Sequence, residues 1–477
     1  MAEPFRMYVL TDVHFLSKKL WVEGMPITRR ERGDQIALKV SPEITETFFD
    51  KIIADRETPN VLITGDLVNC GEVISHGDFK ALLKKLTDAG KRVFVTTATH
   101  DYCGHGVDGD ENIFSAVGYG ETECYPVDYV GKVESRHLYG EYGPDSADSV
   151  DTESGSYSVS PHAGVRLIAI NDNGNGRSHC GLFDEGFEWL QNEIKCAKSR
   201  GERIMLAVHH PVLPPWEIYR LAAEFEMFGG YEKLKGMMCD GGVRVIFTGH
   251  THVQSIQKYE DGKGAFFYDI STAALGAAHG MMRKVTLDTD TGKCSVESIG
   301  IDKIKGVDTP LRACEYIYGL NFTGLLEKVF PLINTDWDRF LQDSDGLLNA
   351  EKLKKHRLAV KAAAGFAQKL KMSTLAKFGK KYNGLSKDRI KALRDKRVID
   401  CAFVIMRHIF SGNAPYTPDT DEYRVLMGVC RKADKILNTL HRPPSSFIKG
   451  AGSLCDIARP FLYNDRTGDD NAIEFCM

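Results

Sequence analysis

Five apolar runs in this 477-residue chain stop at side chains that bind metals and move protons. MYVLTDVH ends in Asp12 and His14, NVLITGD in Asp66, VFVTTATHD in His100 and Asp101, IMLAVHHP in His209 and His210, and VRVIFTGHTH in His250 and His252. A single histidine at a strand end is most often an ordinary residue. Five such ends, in order along one chain, are not accounted for that way. In open α/β sheets the functional crevice lies beyond the carboxyl ends of the strands, so these side chains can converge. Carboxylate and imidazole suit Zn, Mn or Fe, and the absence of Cys from these ends argues against a thiolate site. A carboxylate can bridge two ions about 3.5–4 Å apart, and Asp66 on the second run is the natural bridge.

The elements that must position these residues can be read from periodicity. Strand candidates are Met7–Leu10, Val61–Thr64, Arg92–Thr97, Val165–Ile170, Ile204–Val208, Val243–Thr248 and Ala265–Ile270. Between them, SPEITETFFDKIIADRE, GDFKALLKKLTDAGK and DEGFEWLQNEIKCAKSRG carry apolar residues at helical spacing. Strand–helix–strand alternation indicates an α/β layered domain with mainly parallel pairing in its first half. The Gly-, Asp-, Ser- and Tyr-rich stretch 103–160 reads as long surface loops. GKGAFFYDISTAALG and MMRKVTLDTDTGKCSVESIG read as β-hairpin material closing the domain. After about Gly300 the pattern becomes helical, in LAVKAAAGFAQKLKM, RIKALRDKRVIDCAFVIMRHIF and DEYRVLMGVCRKADKILNTLH. The expected organisation is therefore a first domain over 1–300 and a mainly α-helical second domain over 301–477, with YNDRTGDDNAIEFCM as a tail.

Composition bounds the function. With 43% hydrophobic and 26% charged residues the chain has the balance of a globular protein. No apolar run approaches the roughly 20 residues that span a bilayer, so no membrane partner is expected. The opening MAEPFRMYVLTD lacks the regions of a signal peptide, and the twelve cysteines form no C-x-x-C pair. Both favour the cytoplasm, with free thiols rather than a disulfide framework. The net charge of −4 hides an asymmetry, since residues 301–477 carry +9 and the rest −13. That basic excess is concentrated in 351–400. It is modest for a nucleic-acid-binding domain, and no aromatic-and-basic module accompanies it.

The series Asp12-x-His14, Gly65-Asp66, His100-Asp101, His209-x-Pro211 and Gly249-His250-Thr251-His252 resembles the calcineurin-like metallophosphoesterase family, in order and spacing, over residues 7 to about 254. TDVHFLSKKLW and the added helical region resemble its bacterial cyclic-nucleotide phosphodiesterase-like members. The resemblance implies a layered β-sandwich flanked by helices and two divalent ions (Mn, Fe, Zn or Ni). Asp12, His14, Asp66 and His252 would hold the first ion. Asp66, His209 and His250 would hold the second, with the residue before His100. The family motif there is Gly-Asn-His-Asp/Glu, whereas this chain has Ala98-Thr99-His100-Asp101. Three readings of Thr99 stand open: it binds the second ion directly or through water, it leaves that ion weakly held, or the site is degraded.

The implied chemistry is hydrolysis of a small phosphate ester. Water made acidic by the ions attacks phosphorus in line, and nearby positive charge stabilises the phosphoryl oxygens. His100 protonates the leaving oxygen, and Asp101 accepts its other N–H. His210 is a candidate contact to the phosphate. The leading substrate is a cyclic nucleotide or similar small diester. A phosphomonoesterase or nucleotide pyrophosphatase on the same metals is the enzymatic alternative. A non-catalytic metal- or phosphate-binding protein is the alternative from another class. Cys103, His105, Asn173, Arg177 and His179 lie in loops near these strand ends. Trp216 and Tyr219 follow His209, where an aromatic ring could stack on a nucleobase. Each of these has turn or packing as its simpler reading.

Overall fold

The computed structural model describes residues 3–103, 115–172, 180–216, 219, 224–413, 415–446, 452–463 and 467–477. Two sheets form the centre. The first has six strands in the order Ala472–Cys476, Lys293–Gly300, Met281–Leu287, Phe5–Leu10, Asn60–Thr64 and Arg92–Thr96. The last three run parallel, and the others are antiparallel to their neighbours. The second has seven strands, ordered Ser255–Glu260, Phe266–Ser271, Val245–Thr248, Arg203–Ala207, Val165–Ala169, Ser156–His162 and Ser149–Asp151. Its four middle strands, from Phe266–Ser271 to Val165–Ala169, are parallel.

The two-residue strand period sorts side chains into layers. Met7 and Val9, with Leu62 and Phe94, face Leu167, Met205, Ala207 and Phe247 of the second sheet. Tyr8, Leu10, Val61 and Ile63 point the other way, onto Phe48, Phe49, Phe79 and Leu83. Those residues belong to the helices Ser41–Ala54 and Val73–Asp88. On the far side, Ile168, Ile204, Leu206 and Ile246 pack on Phe187, Leu190, Leu234 and Met238, from the helices Asp184–Ser199 and Tyr231–Gly241. The result is helix, sheet, sheet, helix. The central strands are buried on both faces, which is why they read as continuous apolar runs rather than alternating ones.

Residues 313–440 are largely helical, as expected. The run read over 389–410 is two helices, Lys387–Ala392 and Val398–Ile409. Between them the backbone pairs instead with residues 370–372, through Met372 N–H to Lys396 O and Val398 N–H to Leu370 O, both 2.9 Å. The helical region is not detached, because Tyr318, Ile409 and Phe410 pack with Leu16, Leu20, Ile27 and Ala274. No helix among the described residues is long and apolar enough to cross a membrane.

Two loop readings are corrected. The stretch 103–160 holds strands in its described part: Val117–Tyr119 pairs with Cys124–Pro126, and Ser149–Asp151 and the start of Ser156–His162 extend the second sheet. Alternating serines diluted the hydropathy signal of a strand whose Tyr157 and Val159 are buried. The supposed tail is also a strand. Ala472–Cys476 closes the first sheet against Lys293–Gly300, and Phe475 packs 4.9 Å from Tyr268, ring centre to ring centre.

Candidate functional site

Parallel pairing puts the carboxyl ends of Phe5–Leu10, Asn60–Thr64 and Arg92–Thr96 along one edge of the first sheet. Arg203–Ala207 and Val245–Thr248 do the same in the second. The loops beyond carry Asp12, His14, Asp66, Thr99, His100, His209, His210, His250 and His252. Five of these residues are left-handed: Asp12 (φ 48°), His14 (45°), Asp66 (49°), His250 (65°) and His252 (57°). Each such residue costs about 1–2 kcal/mol without glycine, and strain of this kind persists where surrounding structure enforces it at functional sites. Here the enforcement is a set of backbone bonds: Asp12 N–H to Gly65 O at 3.1 Å, His14 N–H to Asp66 O at 3.0 Å and Phe15 N–H to Leu67 O at 3.0 Å.

Two glycines make the approach possible. Gly65 has φ +87°, and a Cβ there would lie 2.7 Å from the Ala98 Cβ and 2.8 Å from His209 Nδ1. A Cβ on Gly249 would lie 2.0 Å from Thr11 Oγ1 and 2.4 Å from Asp12 Oδ2. Without it, the His250 backbone N–H donates to both Asp12 oxygens, at 3.2 and 3.0 Å.

The side chains converge on two adjoining points. His252 Nε2 lies 3.3 Å from Asp12 Oδ1, His14 Nε2 lies 3.8 Å from both Asp12 Oδ1 and Asp66 Oδ2, and the two Nε2 atoms are 3.1 Å apart. His209 Nε2 lies 3.0 Å from Asp66 Oδ2 and 3.8 Å from Asp12 Oδ1. Three groups have ligand atoms all within 4.8 Å: Asp12, His14 and His252; His14, Asp66 and His100; Asp66, His209 and His250. Asp66 is common to two of them. His209 Nδ1–H donates to the Thr64 carbonyl at 2.8 Å. A carbonyl only accepts, so in the neutral imidazole the lone pair sits on Nε2. That atom is buried and faces Asp66 Oδ2.

This donor set fits divalent ions. Asp12, Asp66 and His209 are fully buried or nearly so, and their donors are oxygen and imidazole nitrogen, the ligands of hard and borderline cations. Burial would raise the Asp12 and Asp66 pKa values, but His209 and the other imidazoles outweigh it and hold both below the ordinary range. Burial would lower His209, yet Asp66 and Asp12 push it up to about 10. The pocket is thus a strong cation trap, with protons as the competing cations.

His100 and Asp101 depart from expectation. The His100 Nδ1–H is taken by the carbonyl of Asn69, not by Asp101. Asp101 points the other way and accepts three backbone N–H groups: Leu67 at 2.7 Å, Val68 at 3.2 Å and Ala98 at 2.8 Å. Those donors favour its charged form, against burial and the nearby Asp66, which push it up to about 8. The short turn Thr99–Asp101 needs those bonds, so a carboxylate committed to the backbone cannot also hold the ring. Burial pushes His100 down to about 4. Its ring centre lies 4.6 Å from that of His14, so the ring faces the cluster. Thr99 is buried beside it, and the His100 N–H donates to Asp66 Oδ1 at 2.9 Å.

His210 is fully buried and bonded through Nδ1 to Asp172 Oδ2 at 3.0 Å. Its ring leans on His250, with centres 4.0 Å apart. Trp216 stacks with Tyr219 at 6.0 Å and packs at 4.6 Å on Phe461 of the helical region, which is a packing arrangement. Cys103 is buried, its N–H bonded to Val130 O. His105, Asn173, Arg177 and His179 lie outside the described residues.

Sequence reasoning missed Asp172, Asn69 and Glu226. Asp172 had a signal, since VRLIAIND is a sixth apolar run ending in a carboxylate. Asn69 acts through its carbonyl, which no side-chain pattern reveals. Glu226 Oε2 lies 2.5 Å from His250 Nε2 and comes from a loop with no periodic signal.

Residues 5–254 match the profile of the family described as calcineurin-like phosphoesterase. Over 121 residues, 22% of this chain, the human sphingomyelin phosphodiesterase is 27% identical and the bovine one 28%. The matched part spans only 16% and 17% of those proteins. Among solved structures, a dimetal phosphatase from Danio rerio aligns with TM-score 0.44 at 13% identity, over 62% of this chain and 96% of that one. A purple acid phosphatase from yellow lupin aligns with TM-score 0.41 at 13% identity, over 63% and 52%.

Proposed function

The chain belongs to the calcineurin-like phosphoesterase family, a family of hydrolytic enzymes, and on that premise we propose that it hydrolyses phosphodiesters with two divalent ions. The observation that carries this reading is the sharing of Asp66 between ligand groups on either side of it. Asp12, His14, Asp66 and His252 would hold one ion, and Asp66, His209 and His250 the other. Thr99, buried in the turn just before His100, would complete the second set through its hydroxyl or a water. When bound, the ions acidify a water and stabilise charge on the phosphoryl oxygens.

The chain's own residues supply the rest. Asn69 O holds the His100 Nδ1–H, which leaves Nε2 facing the cluster. His100 is neutral at neutral pH in the resting site. A phosphate anion beside the ring favours the imidazolium and so sets the transferable proton on Nε2, next to the leaving oxygen. Asp101 serves by fixing the turn that carries His100 to the loop that carries Asp66. His210, held by Asp172, buttresses His250 rather than reaching substrate. The relatives named as phosphodiesterases support a diester, and we take a cyclic nucleotide or similar small diester as the leading class. We also assign the chain to a reducing compartment such as the cytoplasm, a reading supported by twelve cysteines of which none forms a disulfide.

The test is turnover of bis(p-nitrophenyl) phosphate and p-nitrophenyl phosphate by the protein loaded with Mn, Fe, Zn or Ni. Diester turnover that falls about 100- to 10,000-fold in His100→Ala, with metal content unchanged, is the expected result. Monoester turnover alone would make it a phosphatase. No turnover with any metal would leave a binding protein.

A further inference from the structure

His250 is gripped from two sides by residues that no metal-ligand pattern contains. On one side the His210 ring leans against it at 4.0 Å between centres, at an angle of 38°. On the other, Glu226 Oε2 stands 2.5 Å from His250 Nε2. That separation is a hydrogen bond, and a carboxylate can only accept it. The proton is therefore on Nε2, and a ring nitrogen that carries a proton cannot hold an ion. Nδ1 is left as the ring's one lone-pair donor for the group it shares with Asp66 and His209. The left-handed backbone of His250, φ 65°, and the close packing of Gly249 on Asp12 set where that ring can lie.

We propose that Glu226 is a positioning residue for the second ion: its carboxylate holds His250 in the Nε2–H tautomer and makes Nδ1 the ligand. The inference rests on the two-ion reading above and adds a part to it. A carboxylate behind a ligating imidazole fixes the ring and increases its basicity, and loss of such a partner costs about 10- to 100-fold in metal affinity. The need is specific to this chain. Where the family motif has Asn, this chain has Thr99, a shorter and weaker donor. A charged partner behind His250 strengthens the donor next to that gap. Glu226 belongs to the turn Glu224–Glu226.

The experiment is stepwise titration of the metal-free full chain with Mn²⁺ and with Zn²⁺, by calorimetry and by metal analysis after gel filtration. Wild type should take up two ions. Glu226→Ala should weaken one step about 10- to 100-fold and leave the other unchanged, so the unaffected ion reports that the chain is folded. Glu226→Gln should recover most of the loss, because its amide oxygen still accepts from Nε2–H. His252→Ala should weaken the other step. Equal affinities in wild type and Glu226→Ala would overturn the inference while leaving the two-ion reading intact. So would equal weakening of both steps, or a Gln variant as weak as the Ala one. A wild type that binds one ion overturns both.

Discussion

The Nε2 atoms of His14 and His252 lie 3.1 Å apart, and Asp12 Oδ1 lies 3.3 Å from the second of them. Two imidazole nitrogens cannot face each other at that distance in their neutral acceptor forms without a cation between them or a proton on one. Burial opposes a proton on His252, but Asp12 outweighs it and raises the pKa. Without metal, that proton fills the role of the ion.

Ion binding should therefore release protons and strengthen with pH. His209, pushed up to about 10, carries a proton at pH 7 in the metal-free site, and Asp12 shifts His252 in the same direction. An ion must displace that proton, so affinity rises as pH rises from 6 to 9. Calorimetry in buffers of different ionisation enthalpy measures the release directly. A binding enthalpy independent of buffer would show that no proton leaves. Saturation at 100 times Kd should raise stability by about 2.7 kcal/mol.

Gly249→Ala tests the close approach on which the site depends. The new Cβ would sit 2.0 Å from Thr11 Oγ1 and 2.4 Å from Asp12 Oδ2. Backbone and carboxylate must part, which breaks the His250 N–H bonds to Asp12. Overpacking of this kind costs about 1–3 kcal/mol, and the ion that uses Asp12 should bind more weakly. A variant with wild-type melting temperature and metal content would mean that the loop has slack the geometry does not suggest.

Much of this site was legible because each ligand follows directly on a buried parallel strand. The strand pattern puts Asp12, Asp66, His209 and His250 at one edge; in the fold Asp12 and Asp66 follow strands of the first sheet, and His209 and His250 follow strands of the second. Side-chain direction was not legible. Asp101 follows His100 in sequence, yet it turns back to three backbone N–H groups, and the ring is held by Asn69. Glu226 was beyond reach for a different reason. It meets His250 across 24 residues from a loop without periodicity. The final strand was missed because Ala472–Cys476 is five residues long and only Phe475 is deeply buried.

That strand depends on Arg283, which gives a stability prediction. Its fully buried guanidinium donates to Ser298 Oγ at 2.6 Å, Asp470 O at 2.7 Å and Ser271 O at 2.8 Å, and so joins both sheets to the last segment. Burial pushes its pKa down to about 9, which still leaves it charged at neutral pH. Arg283→Met removes the donors and orphans two buried carbonyls. Each orphan costs about 1–3 kcal/mol, partly offset by removing a buried charge, so a net loss of about 2–4 kcal/mol is expected in urea unfolding. Limited proteolysis should then clip the chain near residue 470. Unchanged stability and an intact terminus would mean that water replaces the guanidinium without loss.

His76 should make the fold sensitive to mild acid. It is buried in the helix Val73–Asp88, with Nε2–H donating to the Asp101 carbonyl at 3.0 Å and Nδ1 accepting from Tyr139 Oη at 2.7 Å. The bond from Tyr139 needs the neutral ring, because a protonated Nδ1 cannot accept it, and burial pushes the His76 pKa down to about 4. The unfolded chain has the ordinary value near 6.5. Above pH 6.5 neither state binds the proton, and the full stability is present. Between 6.5 and about 4 the unfolded state binds it and the folded state does not, so stability falls as pH falls. Below about 4 the loss is complete. At about 1.4 kcal/mol per pH unit the total is on the order of 3 kcal/mol. Urea unfolding at pH 7.0, 5.5 and 4.5, with wild type and His76→Gln side by side, isolates this group from the other titrations. The variant should start less stable, having lost a fitted pair of bonds, and should lose about 2–3 kcal/mol less than wild type across that range. Parallel curves for the two proteins would show that His76 already takes up its proton in the folded state. The turn that carries Asp101 and His100 would then have to tolerate a charged imidazole at its back.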